Sequence, residues 1–159
     1  MTRRAARRRL RAVGDGPRTQ SLEVPVLGRN SYTSDELESC RDHADALLAA
    51  WQANEVEDAT LENLVFGQAV VALDAWFVHR LRTLEGKDGN AMNEVRVLAD
   101  SIVANGGILR VDGPITWEPE RTRLGFAVGD EVLVTADGYE RLAAAYLDAI
   151  GDTFVTPEG

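Results

Sequence analysis

The residues with the most chemical capacity lie in one stretch, from Trp76 to Arg96, which reads WFVHRLRTLEGKDGNAMNEVR. It contains one of the two histidines, the only lysine and three arginines. Arginine and lysine side chains bind carboxylate and phosphate groups, and the free backbone N–H groups at a helix start favour the same ligands. We therefore predict a site for a small anionic ligand or a partner that is formed by His79, Arg82, Glu85, Lys87, Asn90, Asn93, Glu94 and Arg96.

The distribution of charge supports this prediction. The chain has 17 basic and 26 acidic residues, and seven of the basic ones but only one acidic one lie within 1–18. The remainder therefore carries a formal charge of −15, yet residues 79–96 hold four basic and three acidic side chains. The opposing interpretation is a solvated turn whose charges pair as Arg82–Glu85 or Arg80–Glu94, because such surface pairs contribute only about 0–1 kcal/mol.

An enzyme is the main alternative class of function, with His79 as general acid or base and Glu85 or Glu94 orienting its ring. Little else supports catalysis, because the chain has no Gly-x-Ser-x-Gly motif. Cys40 and His43 have the helical spacing of two metal ligands but lack convincing further ligands. We therefore predict no metal and no cofactor, and a regulatory or non-enzymatic protein rather than an enzyme.

The arginine-rich residues 1–20 are predicted to be separate from a single globular domain over 21–159. They contain Gly and Pro but almost nothing that could be buried, so we predict a disordered basic tail. A third alternative function is that of a nucleic-acid accessory protein acting through this arm. The acidic remainder repels nucleic acid and anionic membranes, so neither is an expected partner of the folded part.

Three features predict a cytoplasmic location. Cys40 is the only cysteine, which excludes an intramolecular disulfide and is typical of a reducing compartment. The basic N-terminus lacks the apolar region of a secretory signal. No run of residues approaches the ~20 apolar residues that a membrane helix needs.

The elements that position the chemical residues are predominantly helical. Capping residues and apolar spacing predict helices over about 33–54, 58–84, 90–105 and 135–151. The predicted caps are a Thr33–Glu36 capping box, Asn90 for the third helix, and Thr135 or Asp137 for the fourth. The Gly-Lys-Asp-Gly-Asn turn would join the second and third helices as an antiparallel hairpin. Between the last two helices the pattern changes to short apolar runs around Gly and Pro, over 108–117 and 126–134. The predicted fold class is thus α+β, mainly helical, with a small antiparallel sheet of about three strands.

The second predicted helix is apolar around nearly its whole circumference, which requires cover on every side. With few other helices in the chain, we predict a homodimer in which this helix contributes to the interface. A row of small and polar residues along the helix leaves room for a second helix or a ligand, at Gln68, Ala72, Ala75, His79 and Arg82.

Two segments, HRLRTLEGKDGNAMNEVR and GFAVGDEVLVTADGYERLAAAYLDAI, resemble small uncharacterised actinobacterial proteins. The resemblance covers roughly residues 60–150. It implies no activity, cofactor or substrate.

Overall fold

The computed structural model describes residues 28–55 and 57–156, and within them the chain forms four α-helices. These are α1 (Ser34–Ala53), α2 (Ala59–Trp76), α3 (Ala91–Ala104) and α4 (Ala136–Phe154), and short 3-10 helices lie at Arg82–Leu84 and Pro119–Arg121. The predicted disordered tail over 1–20 lies outside the described residues, so that prediction is untested. No helix in the described part is long and apolar enough to cross a membrane.

The helix starts follow from local capping, and the predicted caps are confirmed. Thr33 and Glu36 form a reciprocal capping box at α1, in which each side chain accepts a hydrogen bond from the other residue's backbone N–H. Asn90 caps α3 by accepting from Met92 and Asn93, and Thr135 caps α4 by accepting from Gly138. Each cap satisfies backbone donors that a helix start leaves free.

The hydrophobic core lies around α4, which packs against α1, α2 and α3, while α2 and α3 also pack on each other. One side of α4 is buried along its whole length, as expected for an amphipathic helix at the centre of a bundle. The fully buried core side chains include Phe66, Val70, Leu98, Leu142, Tyr146 and Ile150.

The predicted α+β class is wrong, because the described residues contain no strand and the fold is all-α. Between α3 and α4, the only pairing of the predicted sheet that forms is an isolated antiparallel bridge between Ile108 and Glu131. Val132 and Val134 are buried while Leu133 is exposed, which is the alternation of a half-buried strand. Any extended segment that lies on helices shows this alternation, because successive side chains point to opposite sides. The alternation in this segment is real, but its buried side chains pack against helices rather than within a sheet.

The prediction that the second helix continues to about Leu84 is also wrong, because α2 ends at Trp76. The segment 77–90, which we call the α2–α3 connection, replaces the short turn of a helical hairpin. Phe77 is completely buried at its start, and Arg80 turns into the protein. The backbone there pairs with the extended chain before α1: Arg29 donates to the His79 carbonyl and accepts from the Leu81 N–H. These tertiary contacts replace the i to i−4 bonds that would continue α2.

Candidate functional site

The α2–α3 connection is organised around Arg80, whose side chain is fully buried. Its Nε donates to Glu85 Oε1 at 2.6 Å, one Nη donates to Asp74 Oδ1 at 2.9 Å and the other to the Phe77 carbonyl at 3.0 Å. The guanidinium carbon lies 5.6 Å from the centre of the Tyr146 ring. A buried arginine is tolerated only when its charge and donors are matched in this way.

Glu85 contacts two further arginines and so joins the α2–α3 connection to α3. Arg82 contacts the same Oε1 at 3.1 Å from within the connection, and Arg96 of α3 lies 3.5 Å from Oε2. Glu85 itself is almost completely buried, and its Oε2 has no hydrogen-bond partner within bonding geometry. Three guanidinium groups thus surround one carboxylate, and Asp74 adds a second negative charge beside Arg80.

Arg82 and Arg96 are the members of this cluster that reach the surface, with 42% and 24% of their side chains exposed. Because both contact one carboxylate, their guanidinium groups lie close together. Asp100 adjoins them: burial raises its pKa, and so does Asp74, whereas Arg96 and Arg82 lower it. The exposed edge of the cluster therefore combines two cations with a carboxylate of raised proton affinity.

The start of α3 is less available to a ligand than predicted. The Asn90 side chain accepts hydrogen bonds from Met92 and Asn93, while its own amide donates to the Glu85 carbonyl at 2.6 Å. Asn93 accepts from the Gly89 N–H and donates to the Gly86 carbonyl. A Cβ at position 89 would lie 2.7 Å from the Thr116 carbonyl oxygen, and φ there is +78°, so only glycine fits. These two asparagines shape the turn.

Glu94 is buried for a reason unrelated to Arg80, and the predicted Arg80–Glu94 pair is wrong. Its carboxylate accepts hydrogen bonds from the backbone N–H groups of Arg123 at 2.7 Å and Leu124 at 2.9 Å. Burial raises the pKa of Glu94, although the two N–H groups act in the opposite direction. Glu94 thereby fastens the loop before α4 to the start of α3.

His79 and Lys87 are exposed. Across 28–55 and 57–156, the His79 ring makes no hydrogen bond or ion pair with a carboxylate. The backbone carbonyl groups of both residues are used structurally, since that of His79 accepts from Arg29 and that of Lys87 from Thr116. The geometry that a general acid or base at His79 would need, with Glu85 or Glu94 orienting the ring, is therefore not found in the described part of the chain.

Of the eight predicted site residues, the structure brings Arg82, Glu85 and Arg96 into one cluster, and Asn90 and Asn93 support the turn beside it. Asp74, Arg80 and Tyr146 belong to the cluster but were absent from the predicted set. The sequence did contain a signal from which Asp74 could have been predicted, because Asp74 is an acid within the apolar run VVALDAWF. An acid at such a position is buried with α2 and requires a cationic partner.

A second feature is the outward side of α2. The whole of α2 lies within the described part of the chain, and none of its exposed positions carries a charge. We call this side the α2 stripe. At about 100° per residue it covers an arc of about 160°, and it consists of Thr60, Leu61, Leu64, Gln68, Ala72, Ala75 and Trp76. The other two long helices differ, because their exposed faces carry several acids: Asp35, Glu38, Asp42 and Asp45 on α1, and Asp137, Glu140, Asp148 and Asp152 on α4.

A groove of about 540 Å³ borders one side of the α2 stripe. Thr60, Leu64 and Gln68 line it from the stripe, and the facing wall comes from the end of α3 and the extended segment before α4 through Ile102, Val132 and Leu133. Leu64 is 63% exposed at its edge. An exposed apolar surface of this kind, with polar residues around it, is typical of an interaction site.

Comparison of the chain with protein-family models, with curated proteins and with solved structures finds no match. The resemblance to small uncharacterised actinobacterial proteins therefore stays a prediction. Among the residues that the structure describes, no group of three or more His, Cys, Asp or Glu side chains could hold a metal ion.

Proposed function

We propose that this is a non-enzymatic regulatory protein of the cytosol that forms a homodimer through the α2 stripe. The observation that carries the proposal is the uncharged, largely apolar outward side of α2. Leu61, Leu64 and Trp76 are all more than two-fifths exposed. Removing a half-exposed leucine from water contributes about 1 kcal/mol, and a symmetric dimer does so twice for each residue.

The charge of the chain supports the proposal that the partner is a second copy. Residues 19–159 carry 25 acidic and 10 basic side chains, so two copies repel each other over most orientations. The α2 stripe is a surface at which two copies can meet without placing acids against acids. Burial of this stripe would also supply the cover that an almost entirely apolar helix needs.

The Leu64→Lys variant is expected to weaken the dimer at least about tenfold, because a buried unpaired ammonium costs well over the 1.4 kcal/mol that a tenfold change represents. Light scattering over a concentration series measures the effect. Val128→Lys is the matched control: Val128 is 62% exposed but lies outside the stripe and its groove. A wild-type mass that stays monomeric at every concentration contradicts the proposal.

A small anionic ligand at Arg82 and Arg96 is a second candidate function, and the convergence of both guanidinium groups on Glu85 favours it. Two adjacent, partly exposed arginines can bind a carboxylate or phosphate jointly. The site would consist of these arginines with Lys87 and His79 near the same connection. It is narrower than the predicted eight-residue site, because Glu85, Asn90, Asn93 and Glu94 already have partners within the protein.

A thermal-shift series with inorganic phosphate and citrate tests this site. We expect both to raise the melting temperature of the wild type, and Arg82→Ala to raise the Kd about tenfold or more, since a charge-assisted hydrogen bond contributes about 1.5–3 kcal/mol. Arg141→Ala, which removes an exposed arginine of α4, serves as the control. Equal stabilisation of all three proteins excludes Arg82 from the site.

A further inference from the structure

We infer that the two copies pair their α2 helices in antiparallel orientation about a two-fold axis beside Gln68. The inference rests on the proposed homodimer and adds its geometry. It follows from the order of side-chain sizes along the α2 stripe and from the charges beyond the two helix ends.

Near the middle of the α2 stripe, leucines lie before Gln68 and alanines lie after it. Leu64 and Ala72 lie four residues on either side of Gln68, and Leu61 and Ala75 lie seven residues on either side. Offsets of four and seven return to the same side of an α-helix. The stripe therefore consists of matched positions, in which a leucine on one side of Gln68 corresponds to an alanine on the other.

An antiparallel pair centred on Gln68 places each leucine against an alanine of the other copy. Leu64 faces Ala72 of the partner subunit, Leu61 faces Ala75 of the partner subunit, and the two Gln68 amides meet at the axis, where each can donate to the other. A two-fold axis requires such self-complementarity, and packed interfaces fill the space beside small residues with large ones. A parallel pair would instead set leucine against leucine and leave two alanine pairs beside a gap.

The charges beyond the helix ends favour the same orientation. Exposed acids precede α2 at Glu55, Glu57 and Asp58, and the exposed His79 and Arg82 follow it. Antiparallel pairing brings the acidic end of one copy towards the basic end of the other. Parallel pairing would place like charges together and would also align the two helix dipoles unfavourably.

Cysteine cross-linking tests the orientation. We would prepare Leu64→Cys, Ala72→Cys and Gln68→Cys with the native Cys40 retained, because Cys40 is buried and should not react. Leu64→Cys and Ala72→Cys, one of them carrying a mass tag, are mixed and oxidised. The expected product is a cross-link between the two different variants, at least about tenfold above that of Leu64→Cys alone. In the antiparallel pair the two residues at position 64 are offset by about 12 Å along the axis, whereas a disulfide needs Cα atoms within about 7 Å.

Gln68→Cys should cross-link with itself in either orientation and so verifies that the stripe forms the contact. Cross-linking of Leu64→Cys with itself overturns the antiparallel arrangement but leaves the homodimer standing. A dimeric mass without a cross-link in any sample also overturns the antiparallel arrangement, because the two α2 helices then do not meet at Gln68. A monomeric mass by light scattering refutes the homodimer and the orientation together. The wild type, with Cys40 alone, is the background for every sample.

Discussion

The Arg80→Ala variant is expected to lose about 3–5 kcal/mol of free energy of unfolding, because Asp74 loses its arginine and Glu85 loses the one that is fully buried. Arg80 uses Nε and both terminal nitrogens in hydrogen bonds, and two of its three partners are carboxylates, those of Asp74 and Glu85. Its guanidinium group also lies over the Tyr146 ring. The loss combines an unpaired Asp74, a weakened set of contacts at Glu85 and a cavity, and urea unfolding at neutral pH measures it.

Arg82→Ala is the matched control, since Arg82 contacts the same Glu85 oxygen but is 42% exposed. A solvated ion pair contributes about 0–1 kcal/mol, so the two arginines should differ severalfold in their effect. The double variant Arg80→Met/Asp74→Asn should recover part of the loss, because it removes the charge of Asp74, which Arg80→Ala leaves without its arginine, and restores apolar volume. If Arg80→Ala and Arg82→Ala destabilise equally, Arg80 is not the organising residue of the connection.

The Glu94→Ala variant is expected to lose about 2–4 kcal/mol, because the N–H groups of Arg123 and Leu124 would lose their acceptor. Both hydrogen bonds are short and involve a carboxylate, which makes them stronger than neutral pairs. The loop before α4 should open locally. Hydrogen exchange at the amides of Arg123 and Leu124 should therefore accelerate more than exchange in the centre of α4. Unchanged exchange at these two amides would refute the structural role of Glu94.

Glu94→Gln removes the charge of Glu94 but nearly keeps its shape. We expect the stability of the wild type relative to this variant to depend on pH. Burial raises the pKa of Glu94 above its ordinary value of 4.5, so the folded protein holds this proton to a higher pH than the unfolded chain does. The resulting stabilisation is complete below the unfolded pKa and is lost as the pH rises through the folded pKa. The wild type should therefore lose stability relative to Glu94→Gln as the pH rises above about 4.5. A relative gain with rising pH would reverse the sign and contradict the assignment.

Local features were predictable from residues close in sequence. Thr33 and Asn90 cap helices as predicted, and Thr135 is the one of the two predicted candidates that caps α4, since a cap satisfies backbone donors only two or three residues away. The Arg82–Glu85 contact was also accessible, because the two residues are three apart. The ligand site predicted between residues 79 and 96 stays a prediction, although three of its residues, Arg82, Glu85 and Arg96, contact one another.

The predictions that proved wrong concern features that depend on contacts between residues distant in sequence. The segments over 108–117 and 126–134 have strand-like alternation, but the tertiary fold determines the hydrogen-bond partners of their backbone groups. The end of α2 depends on Arg80, Phe77 and the distant Arg29 backbone. Glu94 binds the chain 29 and 30 residues further on. No pattern within a single helix contains that information.

The sequence by itself determined that helices start at their capping residues, that α2 is apolar on nearly all sides, and that one polar segment interrupts an acidic chain. These properties depend on side-chain chemistry and short-range spacing. Only the tertiary structure decided that Glu85 gathers three arginines, that the fold is all-α in its described part, and that the outward arc of α2 centred on Gln68 remains uncovered. Which side of an apolar helix stays exposed depends on where its neighbours pack, and packing is set by the whole chain.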